Sequence, residues 1–112
     1  MADLTPLVSA LSLRKLCGKD TVTYHGVYAG DLLSRAMSHV KAGSLWITIM
    51  NNMNVIAVAS LTEAAAVLLA EGVSLPIEVQ KAAEEEGITV WQSDADVYHI
   101  CQAIEKENPT LW

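Results

Sequence analysis

The chain contains no phenylalanine, only two cysteines and three prolines, and no cluster of basic residues. Each scarcity excludes something. Cys17 and Cys101 lie too far apart in sequence to make a metal-ligand pair. They read as two reduced structural thiols rather than the frame of a disulfide-stapled fold. Seven Lys and Arg against thirteen Asp and Glu leave a net charge of −6. Such a surface repels phosphate backbones and anionic lipid headgroups, so neither nucleic acid nor a membrane is expected as a partner. No charged stretch leads into a short apolar run near the start, so the expected compartment is the cytoplasm.

The hydrophobic share is 52% of 112 residues, the length of one ordinary domain. The uncharged run Ala42 to Thr62 is long enough to span a bilayer. However, Asn51, Asn52 and Asn54 sit in its middle, where hydrocarbon would leave their amides unpaired. A core plus a buried subunit interface accounts better for the apolar content.

Read along the chain, Thr5 to Leu13 predicts a short helix with Pro6 in its first turn and Leu7, Val8 and Leu11 as an apolar stripe. Gly18-Lys19-Asp20 is a turn, and Thr21 to Tyr28 is rich in β-formers. Asp31 to Val40 predicts a helix opened by Gly30 and Asp31, with Leu32, Leu33, Ala36, Met37 and Val40 at helical spacing. Leu45 to Met50 is a strand apolar on both faces, as a covered parallel sheet requires. From Met53 to Ala64, Val55, Ile56, Ala57, Val58, Ala59 and Leu61 surround a helix axis almost completely, with Asn51 and Asn52 as cap candidates. A helix apolar all round is buried on more than one side. The sheet supplies one side and a second copy of the chain supplies the other, making Val55, Val58 and Ala59 candidates for a homodimer interface.

Ala65 to Ala70 is a further strand. Pro76 opens a helix that Gly87 closes, Ile88 to Trp91 is another strand, and Ser93 with Asp96 gives a capping-box-like start to a last helix. That helix carries Val97, Ile100, Cys101 and Ile104 inward and stops at Asn108-Pro109. The fold class is therefore α/β: one compact domain, a mainly parallel sheet flanked by helices, with strand–helix repeated three times after a β-rich opening.

Val27-Tyr28-Ala29-Gly30-Asp31-Leu32-Leu33-Ser34, Leu45-Trp46-Ile47-Thr48-Ile49, Asn54-Val55-Ile56-Ala57-Val58-Ala59 and Leu68-Leu69-Ala70-Glu71-Gly72 together resemble a DRTGG domain, over about residues 22–104. The naming signature itself is not kept. Met53-Asn54 stands near the expected Asp-Arg pair, and Ala70-Glu71-Gly72 keeps only the last glycine of Thr-Gly-Gly. The resemblance implies a compact α/β module found alone, beside phosphotransacetylase domains, or between CBS domains of regulated pyrophosphatases, where it contributes to dimerisation. It is also similar to the non-catalytic N-terminal domain of HPr kinase/phosphorylase.

No catalytic constellation is legible. His25, His39 and His99 are scattered, Ser34 has no nucleophile elbow around it, and Gly18-Lys19 lacks the earlier glycine and the Ser or Thr of a phosphate-binding loop. Glu84-Glu85-Glu86 splay around a helix and read as a solvated face. Neither a catalytic residue, a metal site nor a cofactor is therefore expected. The remaining candidates lie where strand carboxyl ends meet helix starts: Asp31, Asn51, Asn52, Asn54 and Gly72. The asparagines there either read a small polar or nucleotide-like ligand or cap the following helix. The reading is of a non-enzymatic, homodimeric regulatory or accessory domain taking such a ligand. The alternative is a protein–protein adaptor for a larger enzyme complex, with no small ligand.

Overall fold

A computed structural model describes residues 1–109. Its frame is a five-stranded sheet in the order β2-β7-β6-β5-β4, with β2 Arg14–Cys17, β4 Gly26–Ala29, β5 Ser44–Thr48, β6 Ala66–Leu69 and β7 Val90–Gln92. Strands β4 to β7 are parallel neighbours, and β2 closes the far edge antiparallel to β7. Helices α1 Leu33–His39, α2 Met53–Thr62 and α3 Ile77–Glu85 make the crossovers, and α4 Val97–Glu107 follows β7. A two-stranded ribbon pairs β1 Ala2–Asp3 with β3 Thr23–Tyr24. The parallel α/β arrangement is the one the alternation of elements predicts.

Strand side chains alternate between faces, so one sheet feeds two cores. Leu45, Ile47, Leu68 and Trp91 point into one, covered by the opening segment (Leu4, Leu7, Leu11) and by Ile100 and Ile104 of α4. Trp46, Val67, Leu69 and Val90 point into the other, under Ala36 and Val40 from α1 and its cap, Val55, Ile56, Val58 and Ala59 of α2, and Val79 and Ala83 of α3. Successive right-handed crossovers running in one direction along the sheet place α1, α2 and α3 on the same side. Cys17 belongs to the second core and Cys101 packs against the first, so the two thiols are separated by the sheet. Burial pushes both thiols up from their ordinary value.

Several sequence expectations are corrected. The helix expected over Thr5–Leu13 is only a 3-10 turn, Thr5–Leu7, because the chain passes through a left-handed conformation at Ser12 (φ 50°) to enter β2. Strand β2 itself escapes a periodicity reading, since Arg14-Lys15-Leu16-Cys17 carries two basic residues and a register shift. Helix α1 starts at Leu33 with Leu32 as its uncapped lead residue, and Asp31 is engaged elsewhere. Leu32 and Met37, expected inside, are 64% and 50% exposed. Finally, Ser93 does not cap α4. The cap is Asp96, whose carboxylate accepts the His99 N–H at 2.8 Å, while Ser93 sits buried and its hydroxyl donates to the Leu11 carbonyl.

The expected dimer residues are corrected for the same kind of reason. Val55, Val58 and Ala59 are 2%, 4% and 1% exposed within a single copy. They are sealed against Trp46, Val67 and Leu69, so no partner can reach them in this fold. The outward side of α2 carries Met53, Ala57, Ser60 and Leu61 instead.

Candidate functional site at the carboxyl rim of the sheet

The parallel strands all end on one rim, and the residues that follow them define it. After β4 comes Gly30-Asp31, after β5 Ile49 to Asn52, after β6 Ala70 to Ser74, and after β7 Ser93-Asp94. Because β2 is antiparallel, its first residue, Arg14, lies at this same rim.

Two groups of contacts result. In the first, the Asp31 carboxylate accepts the Thr48 hydroxyl at 2.7 Å and the Ile49 N–H at 2.9 Å. The Thr48 oxygen in turn accepts the Met50 N–H at 3.1 Å. Beside them, the buried Trp46 indole donates to the Gly30 carbonyl at 3.0 Å, fixing the end of β4. Asn52 caps α2, its side-chain oxygen accepting the Asn54 N–H at 3.0 Å. Asn51 does not cap. Its amide donates to the Ser74 carbonyl at 2.8 Å and ties the start of α2 to the loop after β6. The side chains of Asn52 and Asn54 remain exposed beside the first turn of α2, whose N–H groups form the positive end of the helix dipole.

In the second group, Arg14 forks onto Asp94, with contacts of 2.8 and 3.2 Å, and also donates to the Gln92 side-chain oxygen at 2.8 and 3.0 Å. Gln92 passes the contact on, donating to the Gly72 and Val73 carbonyls at 3.2 and 2.7 Å. The Arg14 guanidinium holds the Asp94 carboxyl below its ordinary range, and Asp94 raises Arg14 in turn. Gly72 has φ +67°, and a Cβ there would lie 3.3 Å from an Asp94 oxygen, so both its conformation and its neighbour favour glycine.

Sequence reasoning brings Asp31, Asn51, Asn52, Asn54 and Gly72 to one rim, but in two groups: the first four beside β5 and α2, and Gly72 with the arginine cluster. It misses Arg14 and Thr48. The first is hidden because its strand is not legible, and the second because a threonine inside an apolar run reads as core. The rim offers carboxamides, a helix start and a charge-compensated Arg–Asp pair. It places no nucleophile against a base. Among the described residues, no three His, Cys, Asp or Glu side chains converge as metal ligands.

Away from the rim, a groove of 330 Å³ runs between α2 and α3, bordered by Met53, Ala57, Leu61, Ala82 and Glu86. No helix among the described residues is long and apolar enough to cross a membrane.

A family model described as the DRTGG domain matches residues 6–106. Among solved structures, the chain is similar to the CBS and DRTGG domains of the regulatory region of Clostridium perfringens pyrophosphatase, in a crystal structure with the activator diadenosine tetraphosphate. The TM-score is 0.69 at 14% identity, and the match covers 90% of this chain. It covers 45% of that chain, so this protein spans less than half of its structural neighbour. No curated protein matches the sequence.

Proposed function

Because the chain belongs to the DRTGG domain family, we propose that it is a regulatory or accessory module with no catalysis of its own, acting as a homodimer. One observation carries the reading: the outer surface of the α1–α2–α3 layer. Leu32, Met37, Met53 and Leu61 are 64%, 50%, 47% and 67% exposed on that side of the sheet, next to the α2–α3 groove. Several large apolar side chains exposed on adjacent helices of one layer are characteristic of an association surface. The second copy covers this layer, not the sealed residues beneath it.

The ligand we assign to the module is a small nucleotide-like molecule, held at the carboxyl rim beside Asn52, Asn54 and the start of α2. The class is taken from the similar pyrophosphatase region, whose activator is diadenosine tetraphosphate. The place rests on this chain's rim geometry. The cytoplasm remains the expected compartment, in keeping with two unpaired thiols.

Light scattering across a range of concentrations tests the association. A species of twice 12.1 kDa is expected, converted to monomer by the joint substitutions Met53→Glu and Leu61→Glu. A wild-type monomer at high concentration sinks the dimer and favours an adaptor whose partner is another protein. Thermal shift with nucleotides tests the ligand: one present at a hundred times its Kd adds about 2.7 kcal/mol of stability, and Asn54→Ala diminishes that gain. No shift from any nucleotide removes the ligand from the reading.

A further inference from the structure

The two edges of the main sheet are built differently. An exposed edge strand offers unpaired N–H and C=O groups, and proteins blunt such edges with charged residues, prolines or bulges. The β2 edge follows this rule, with Arg14 and Lys15 in the strand and a register shift between Lys15 and Cys17. The β4 edge does not. Gly26-Val27-Tyr28-Ala29 carries no charge and no proline, is regular in register, and among the described residues pairs with β5 alone. In a parallel pair only part of a strand's backbone groups face its neighbour, so the rest of β4 is turned outward.

A cleft of 440 Å³ lies along this open edge. Its walls include His25, Gly26, Tyr28, His39 and Lys41, and no carboxylate lines it, although the chain carries a net charge of −6. Lys41 has no ion-pair partner among the described residues. Two rings lie beside the strand. His39 turns Nδ1 to the Arg35 carbonyl at 2.9 Å and stacks on Tyr28, with centroids 5.9 Å apart and 26° between planes. His25 lies over Gly43, where an added Cβ would come within 2.7 Å of its ring.

We infer that β4 and this cleft receive an extended acidic segment of a partner protein, added as a sixth strand beside β4. The strand's free backbone groups supply the pairing, the Tyr28–His39 stack meets an apolar side chain of the incoming segment, and Lys41 meets its carboxylates. Charge selects this occupant over a second copy of β4, which would bring its own Lys41 to the same junction and no carboxylate to meet it. The cleft adjoins α1 through His39, but each proposal has its own variant: Lys41→Glu tests the edge, and Met53→Glu with Leu61→Glu on α2 tests the dimer.

The test is amide NMR on the intact ¹⁵N-labelled chain with two capped hexapeptides, one alternating valine with glutamate and one alternating valine with lysine. The acidic peptide is expected to give saturable shifts at Gly26–Ala29 and at Lys41–Ser44, and the basic one none. Lys41→Glu, an exposed position, should weaken acidic binding about fivefold, the scale of one exposed charge pair. The proposal is overturned if the acidic peptide leaves β4 unshifted, or if Lys41→Glu binds both peptides as the parent does. Slow exchange of every β4 amide in the free protein would also overturn it, because the edge would already be occupied.

Discussion

Asp31 and Thr48, seventeen residues apart, share a 2.7 Å hydrogen bond that ties the end of β4 to the end of β5. The Thr48 side chain is completely buried, so its hydroxyl depends on that carboxylate, and the Ile49 N–H depends on the same oxygen. Asp31→Ala is expected to cost about 1–3 kcal/mol by leaving these donors without their partner. Urea denaturation measures it. A loss under about half a kcal/mol would mean that water replaces the carboxylate without penalty.

The sealed side of α2 and its outward side should behave oppositely on substitution. Val55→Ala, in the core, is expected to lower stability by about 2 kcal/mol and leave the association state unchanged. Met53→Glu with Leu61→Glu should leave the stability of the single copy within about half a kcal/mol while abolishing association. Denaturation and light scattering on both variants separate packing from interface. Loss of the dimer in Val55→Ala at unchanged stability would contradict the assignment of faces.

Helix α2 ends at Glu63 in a left-handed conformation, φ 57° and ψ 42°, where its N–H still reaches the Ala59 and Ser60 carbonyls. A non-glycine residue pays for that conformation with Cβ crowding, which glycine avoids. Since Glu63 is exposed, Glu63→Gly should raise stability by about 1 kcal/mol. A lower melting temperature would show that the Glu63 side chain makes a contact of greater worth.

Three carboxyls, Asp3, Asp94 and Asp96, are held below their ordinary value of 3.8. The causes are hydrogen bonds: from Thr5 to Asp3, from Arg14 to Asp94 and from His99 to Asp96. A group whose folded value is depressed stabilises the fold above its unfolded value and loses that contribution as pH falls through the folded one. Stability should therefore be flat from neutral pH down to about pH 5 and decline below about pH 4. Urea midpoints at pH 6 and pH 3 check the sign, and Asp94→Asn should show a shallower decline. An unchanged slope in that variant would remove Arg14–Asp94 from the account.

The parts of the fold legible in sequence are those where apolar pattern and burial coincide. Leu45 to Thr48 and Ala66 to Leu69 are buried on both faces and read as continuous apolar runs. Helix α4 shows Ile100 and Ile104 on one stripe, and both are buried. The pattern fails where apolar residues stay outside. Leu32, Met37 and Leu61 have the spacing of core residues, and composition cannot tell the inward side of an all-apolar helix from the outward one. It fails again where a strand is stabilised by pairing instead of burial, as with Arg14 and Lys15. Of the rim, the helix cap at Asn52 was readable because capping is local. The Asp31–Thr48 and Arg14–Asp94 contacts join segments that only the assembled sheet brings together.

The place of β2 has a consequence for the order in which the molecule is made. Strands β4, β5 and β6 find their neighbours within about one strand–helix unit of chain, and each can settle as it emerges from the ribosome. Arg14 must wait for Gln92 and Cys17 for Val90. An early-synthesised strand thus has no sheet partner until β7 has been made, and its pairing closes the longest loop in the main sheet. During that wait the β7 side of the sheet does not yet exist, and the nascent chain exposes β6 as a temporary edge.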